Sequence, residues 1–193
     1  MNFSDSEIVS SVMKEAGYLQ ANGVDDADLI FLNTCSVREH AEERVRKRLL
    51  QFGALKKGNS SLKIGLLGCM AERLKEKLLE EEKILDIVAG PDSYRNLPEL
   101  CSIAIEGQKA MDVQLSDHET YSDILPVRAG RTTISAFISI MRGCENYCSY
   151  CVVPSTRGRE RSRNADTIVS EVLTLFKEGY REVTLLGQNV NSY

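Results

Sequence analysis

Apolar residues in the first hundred positions fall into short runs that alternate with helical repeats. Ile8, Val9, Val12 and Met13 recur at helical spacing and stop at Gly17, with Ser4 and Asp5 offering N-cap chemistry ahead of them. Residues 27–33 make a compact apolar run of strand length. A helix is predicted over 37–57, with Val45, Leu49 and Phe52 on one face and the Gly58-Asn59-Ser60 turn behind it. The unit then recurs as strand 63–67, a Gly68-Cys69 turn and helix 71–82. Strand 84–88 and a helix over 94–106, with Pro98 near its start, close the series. Short buried strands alternating with helices predict a parallel sheet covered on both faces.

The periodicity fades over residues 107–132, which hold Asp117, His118, Glu119, Pro126 and Gly130 and read as a linker. Alternation returns at Thr133-Ile-Ser-Ala-Phe-Ile-Ser-Ile140, a predicted strand. A helix over 165–177 ends at Gly179, and strand 182–186 follows. A right-handed crossover makes these two strands parallel neighbours, so the loop after the first and the Gly187 loop share one end of the sheet. The expected division is an N-terminal α/β domain over 1–111, a linker over 112–132 and a β-α-β unit over 133–193.

Composition narrows the class. An apolar content of 42% suits a buried core, and no apolar run approaches the roughly 18 residues that a membrane span needs. The N-terminus, Met1-Asn-Phe-Ser-Asp5, lacks the basic-then-apolar order of a signal peptide, so a reducing cytoplasm is expected. Six cysteines in that compartment suit metal or redox ligation better than disulfides. The net charge of −4 argues against a coat of nucleic-acid-binding charge. One run stands apart: Arg157, Arg159, Arg161 and Arg163, all arginine and no lysine. Guanidinium forks suit phosphate or carboxylate, so the run is expected to hold a polyanionic substrate or cofactor, with a solvated loop as the plainer alternative.

Cysteine spacing carries the chemistry. Cys144, Cys148 and Cys151 stand at C-x3-C-x2-C after a predicted strand. Three thiolates so close in sequence can cap three irons of a cubane cluster and leave the fourth iron open to a small ligand. Structural zinc wants four ligands, commonly as two paired halves, and only one half-pair plus an upstream cysteine is present. A thioredoxin-like pair leaves the third cysteine unexplained, and simple burial sits badly with the interleaved Glu145, Asn146 and Ser149. Cys35 and Cys69 each follow a predicted strand at its carboxyl end, where parallel sheets bind ligands. From position alone, core packing and ligation both remain open for them. Cys101, mid-helix beside Leu100, Ile103 and Ile105, reads as core. His40 and His118 form no metal signature and are expected to face solvent.

With its aromatic residue before the last cysteine, Cys144-x3-Cys148-x-Tyr150-Cys151 resembles the signature of radical S-adenosylmethionine (SAM) enzymes. Asn33-Thr-Cys-Ser-Val-Arg-Glu39, Gly68-Cys-Met-Ala-Glu72, Gly90-Pro-Asp-Ser-Tyr94, Arg157-Gly-Arg-Glu-Arg-Ser-Arg163 and Leu186-Gly-Gln-Asn-Val-Asn191 narrow the resemblance to the methylthiotransferases, in the branch that acts on isopentenyl-adenosine in tRNA. The resemblance implies a flavodoxin- or Rossmann-like methylthiotransferase domain followed by the first β-α-β part of a partial TIM barrel. It implies two 4Fe-4S clusters: one held by Cys144, Cys148 and Cys151 that binds SAM, and an auxiliary one with Cys35 and Cys69 as two of its three ligands. Gly187 and Gln188 would approach the SAM amino group, and Tyr150 would lie near adenine. One SAM would supply a methyl group, and a second would be cleaved to a radical that takes hydrogen from carbon two of the modified adenine beside the anticodon.

No acid–base set is needed for such chemistry, since the cofactor carries the difficult step. The expected partners are tRNA and an external electron donor, with no membrane and a monomeric protein. Against the family pattern, a first strand bearing the third auxiliary cysteine would precede Met1, and the remaining barrel and an RNA-binding domain would follow Tyr193. Two alternatives stand beside this reading. One is a relative that modifies threonylcarbamoyl adenosine in tRNA or a ribosomal-protein aspartate; the other is a non-catalytic metal or redox module.

Overall fold

A computed structural model describes residues 1–36, 39–128 and 134–193, with the side chains of Glu39 and His40 outside that description. The expectation for His40 therefore lies outside the described residues. Helix α1 (Asn2–Glu15) opens the chain. Because it begins at Asn2, Ser4 and Asp5 do not cap it: both lie inside the helix and are buried, which corrects the expected N-cap. Strand β1 (Leu29–Thr34) follows, then α2 (Glu39–Gly58) and β2 (Lys63–Gly68). The single helix expected over 71–82 is two, α3 (Cys69–Leu74) and α4 (Glu76–Glu81), because Lys75 between them adopts a left-handed φ of 48°. Strand β3 (Ile87–Ala89), helix α5 (Leu97–Ile105) and a fourth strand β4 (Ala110–Asp112) complete the unit.

The four strands pair in parallel in the order β1-β2-β3-β4. Alternate side chains of a strand point to opposite faces, and both faces here are covered. On one, Leu67, Ile87 and Ala89 meet Ile8, Val9, Val12 and Met13 of α1 and Leu97, Leu100 and Cys101 of α5. On the other, Ile30, Ile64, Leu66 and Val88 meet Leu49 and Phe52 of α2, Met70 of α3 and Leu78 of α4. Beyond β4, residues 113–128 form no helix or strand, yet Tyr121 is buried in the first core and stacks on Tyr94 at 5.7 Å between ring centres.

The second unit is built on β5 (Ser135–Ser139) and β8 (Glu182–Leu186), parallel neighbours as the crossover argument requires, with α7 (Ala165–Lys177) packed against them. Asn164 caps α7 by accepting the Asp166 amide at 2.8 Å. Between them lie β6 (Met141–Arg142), α6 (Val153–Arg157) and β7 (Arg161–Ser162). The antiparallel pair β6–β7 ties together the two ends of the cysteine loop. Among the described residues no helix is long and apolar enough to cross a membrane.

Candidate iron–sulfur site

The register of the first sheet decides the relation between Cys35 and Cys69. Thr34 pairs with Gly68 across β1 and β2, and a cysteine follows each of these strand ends. Neighbouring strands run about 4.8 Å apart, so the two strand ends that lead into Cys35 and Cys69 are adjacent at the carboxyl edge. The Thr34 hydroxyl donates to the Leu67 carbonyl at 2.7 Å and locks this edge. Gly68 takes a φ of 90°, and a Cβ there would come within 2.6 Å of the Thr34 carbonyl oxygen. Only glycine lets the chain turn from β2 straight into Cys69. Both thiols are free, Cys69 buried and Cys35 partly exposed.

The cysteine loop is braced at each end. Gly143, just before Cys144, has a φ of 79°, and its missing Cβ would lie 1.8 Å from the Arg159 carbonyl oxygen. Its amide donates to Oε1 of Gln188 at 2.7 Å, and the Cys144 amide donates to the Gly158 carbonyl at 3.2 Å. The Cys151 amide returns to the Cys148 carbonyl at 2.9 Å, and Tyr147 adopts a left-handed φ of 46°. The result leaves Cys148 exposed, Cys151 half-buried and Cys144 buried, all three as free thiols. Gln188 thus sits against the loop from the β8 side. Gly187 packs against Met141, where a Cβ would meet the side chain at 2.4 Å. Tyr150 is exposed to solvent.

The arginine run does something other than what its composition suggests. Arg157, Arg161 and Arg163 are buried and paired with carboxylates of this same chain. Arg157 bonds Asp5 at 2.6 Å, Arg161 lies 3.0 Å from Asp92, and Arg163 bonds Glu171 at 2.8 Å. The expectation that the run holds a polyanionic ligand is corrected for these three: the fork-shaped donors bind carboxylates, but internal ones. Arg159 alone of the four is largely exposed, with Glu145 at 3.5 Å.

Arg142, not singled out by the sequence, is fully buried and joins the same network. It bonds Asp5 at 2.9 Å and the Pro91 carbonyl at 2.9 Å, and its guanidinium lies 4.9 Å from the Tyr121 ring centre. Burial alone would raise the Asp5 carboxyl, but the Arg157 and Arg142 guanidiniums outweigh it and hold it below its usual range. Arg128 adds a bridge from Glu7 of α1, at 2.9 Å, to Glu171 of α7. Through these pairs α1 and the Pro91–Asp92 turn are bolted to the second unit, and α3 packs against α6.

That docking brings the two cysteine groups into one region. Arg157, six residues past Cys151, donates its Nε–H to Cys69 Sγ at 3.1 Å. Its Nη1 is buried without a hydrogen-bond partner among the described residues. Glu72, three residues past Cys69, is also buried; desolvation raises its carboxyl to about 7, against the pull of Lys75. Cys101 lies in the core as expected, and burial raises its thiol to about 11 despite a hydrogen bond from Tyr18. His118 is exposed, also as expected.

Among the described residues no three histidine, cysteine or acidic side chains gather tightly enough for one metal ion. A cubane spreads its thiolates over separate iron corners and asks for wider spacing. The free thiols and the orphaned Arg157 donor beside Cys69 fit an anionic cluster. A groove of about 620 Å³ lined by Lys75, Glu76, Asn96, Glu99 and Asp112 lies elsewhere and includes none of these cysteines.

Comparison with known proteins agrees with this layout. Residues 1–90 match the uncharacterized protein family UPF0004, and residues 138–193 match the radical SAM superfamily. Over all 193 residues the chain is 58% identical to a protein of Amoebophilus asiaticus and 57% identical to one of Christiangramia forsetii. It is 59% identical to one of Chloroherpeton thalassium, and all three are named tRNA-2-methylthio-N(6)-dimethylallyladenosine synthase. The chain is thus similar to these synthases along its whole length, and its last third is similar to radical SAM proteins. It covers 40–42% of the length of these relatives. The α/β architecture expected for the family, a parallel-sheet domain followed by the start of a radical SAM domain, is the one observed. The sequence singled out five cysteines as candidate ligands but did not anticipate the long-range pairing of Arg142, Asp5 and Asp92. Asp92 had a weak signal, as it falls within one of the family motifs.

Proposed function

We propose that this chain is the cluster-bearing part of an enzyme that methylthiolates carbon two of isopentenyl-adenosine beside the tRNA anticodon. The observation that carries the reading is the bond from Arg157 to Cys69, which joins the Cys144 loop to the Cys35–Cys69 edge. Cys144, Cys148 and Cys151 would hold a SAM-binding 4Fe-4S cluster, and Cys35 and Cys69 would give two ligands to an auxiliary one. When bound, these groups supply the electron and the radical chemistry that an unactivated C–H bond requires. The chain's own part is to hold and shield. Gln188 and Gly143 fix the start of the cysteine loop, Gly187 keeps the β8 loop close to Met141, and the exposed Tyr150 would lie near adenine. The buried ion pairs keep the two cysteine groups in register. tRNA and an external electron donor are the partners in this reading, and the cytoplasm is its compartment. Residues 1–111 and 133–193 are proposed as the two units joined by 112–132.

Mass spectrometry of tRNA from a strain lacking the gene tests the assignment. Loss of 2-methylthio-isopentenyladenosine is expected, and an unchanged level would refute it. Anaerobic reconstitution of the full-length protein tests the two roles separately. Cys148→Ala should abolish SAM cleavage, whereas Cys69→Ala should spare cleavage and lose sulfur insertion. A reduced cluster whose EPR signal ignores added SAM would favour a redox module instead.

A further inference from the structure

The Arg157 guanidinium has three separate environments. Nη2 bonds Asp5 at 2.6 Å, Nε donates to Cys69 Sγ at 3.1 Å, and Nη1 has no partner among the described residues. The side chain is 3% exposed and Asp5 is fully buried. Buried Arg161 and Arg163 also keep an unpartnered nitrogen, so the spare donor does not set Arg157 apart; holding its guanidinium there solely as an interface bolt for Asp5 would leave the sulfur contact without use. Arg161 supplies the contrast: it is a buried interface arginine of the same run, paired with Asp92, and no sulfur lies among its partners.

We propose that Arg157 is a positioning residue that raises the reduction potential of the cluster bound through Cys69, with Asp5 aiming the guanidinium at the sulfur. The proposal rests on the reading of Cys69 as a cluster ligand. Taking up one electron adds one negative charge to such a cluster. Hydrogen bonds to the sulfurs and nearby charge set its potential. An arginine stays protonated at any working pH, so it favours the reduced form under all conditions in which the protein is folded. Because Arg157 reaches Cys69 from α6, the helix that follows the Cys144 loop, the tuning exists only when the two units are docked. Asp5 sets the aim and partly offsets the charge, so its removal should loosen the guanidinium rather than neutralise it.

Two measurements on the full-length protein test this. In the metal-free protein, the Arg157 Nε–H resonance in a ¹⁵N-resolved NMR spectrum should move on Cys69→Ala and stay put on Cys101→Ala. An Arg157 signal indifferent to Cys69→Ala overturns the contact itself. In protein loaded anaerobically with ferrous iron and sulfide, dithionite titration followed by EPR reads the reduced-to-oxidised ratio at a fixed potential. Arg157→Gln should lower that ratio about tenfold, equal to about 59 mV for one electron. Arg157→Lys should recover part of the loss, and Arg161→Gln should leave the ratio unchanged while weakening the same interface. Equal shifts from Arg157→Gln and Arg161→Gln would mean that loosened docking alone is responsible, and overturn the proposal. No cluster bound through Cys69 refutes the underlying ligand reading. A bound cluster with an unmoved potential in Arg157→Gln refutes the tuning alone.

Discussion

Asp5→Asn probes the joint between the two units most directly. Asp5 is fully buried between Arg142 at 2.9 Å and Arg157 at 2.6 Å, both of them almost wholly inaccessible to water. Asparagine keeps the volume and one acceptor oxygen, so no cavity forms and one guanidinium can still be satisfied. What disappears is the negative charge that compensates two buried positive ones. Removing one partner of a buried pair costs about 3–5 kcal/mol, because the other charge is left without compensation. The retained hydrogen bond puts the expectation at the lower end, about 3 kcal/mol. For a chain of this size about 2–4 °C of Tm accompanies each kcal/mol, so a fall of about 6–12 °C is expected.

Urea unfolding followed by near-ultraviolet circular dichroism suits the measurement. The chain has no tryptophan, and the stacked Tyr94–Tyr121 pair lies beside the network. Charge compensation also makes the penalty non-additive: with Arg157→Gln in the background, Asp5→Asn should cost about 1 kcal/mol less or better. The pH dependence follows with a definite sign. The Asp5 carboxyl is depressed in the folded state, so its contribution is full above the unfolded value of about 3.9 and is lost as pH falls through the folded one. Wild-type stability should fall below about pH 4 more steeply than that of the variant. A loss under about 1 kcal/mol at pH 7, or an unchanged acid limb, would show that Asp5 is not the compensating charge.

The remaining predictions concern neighbouring groups. The Tyr121 hydroxyl donates to the Pro91 carbonyl at 3.1 Å and accepts the Tyr94 amide at 3.0 Å, whereas the buried Tyr94 hydroxyl has no partner among the described residues. Tyr121→Phe should therefore cost about 1–3 kcal/mol in urea unfolding and Tyr94→Phe nothing, or be slightly stabilising; the reverse order would refute the assignment. Glu72 has a raised carboxyl near 7, so the unfolded chain loses its proton first and stability should decline between about pH 4.5 and 7. Glu72→Gln should flatten that slope and gain about 1–3 kcal/mol above pH 7, read from unfolding midpoints across pH. Gly143→Ala sets a Cβ 1.8 Å from a backbone oxygen at a φ of 79°, and should at least halve the iron retained by the Cys144 loop while leaving the four-stranded sheet folded.

How much of this could be read from the chain depends on the range of the interaction concerned. Strands β1, β2, β5 and β8 and helix α7 follow from local periodicity, and α7 matches its predicted span because Asn164 and Gly179 mark its ends. That Cys35 and Cys69 follow the carboxyl ends of strands in a repeating unit was legible, and the register makes those two ends neighbours. Strand β4 was not legible: three residues give too short a pattern, and its pairing with β3 supplies what the sequence does not show. The break at Lys75 hid for a similar reason, since the apolar face runs on through it.

The arginines and Asp5 failed differently. A carboxylate near a helix start and a basic run both look like solvent-facing or ligand-facing chemistry, and local sequence offers no way to see that they are partners 152 residues apart. What burial adds is a constraint on function. Arg142, Arg157 and Arg161 are committed to Asp5 and Asp92, so none is free to grip a polyanion without opening the joint. Of the run, only Arg159 is largely exposed to solvent. The basic stretch beside the cysteine loop is therefore spent mainly on pairs that hold the two units together, and Arg159 is the one guanidinium of the run that it offers to solvent.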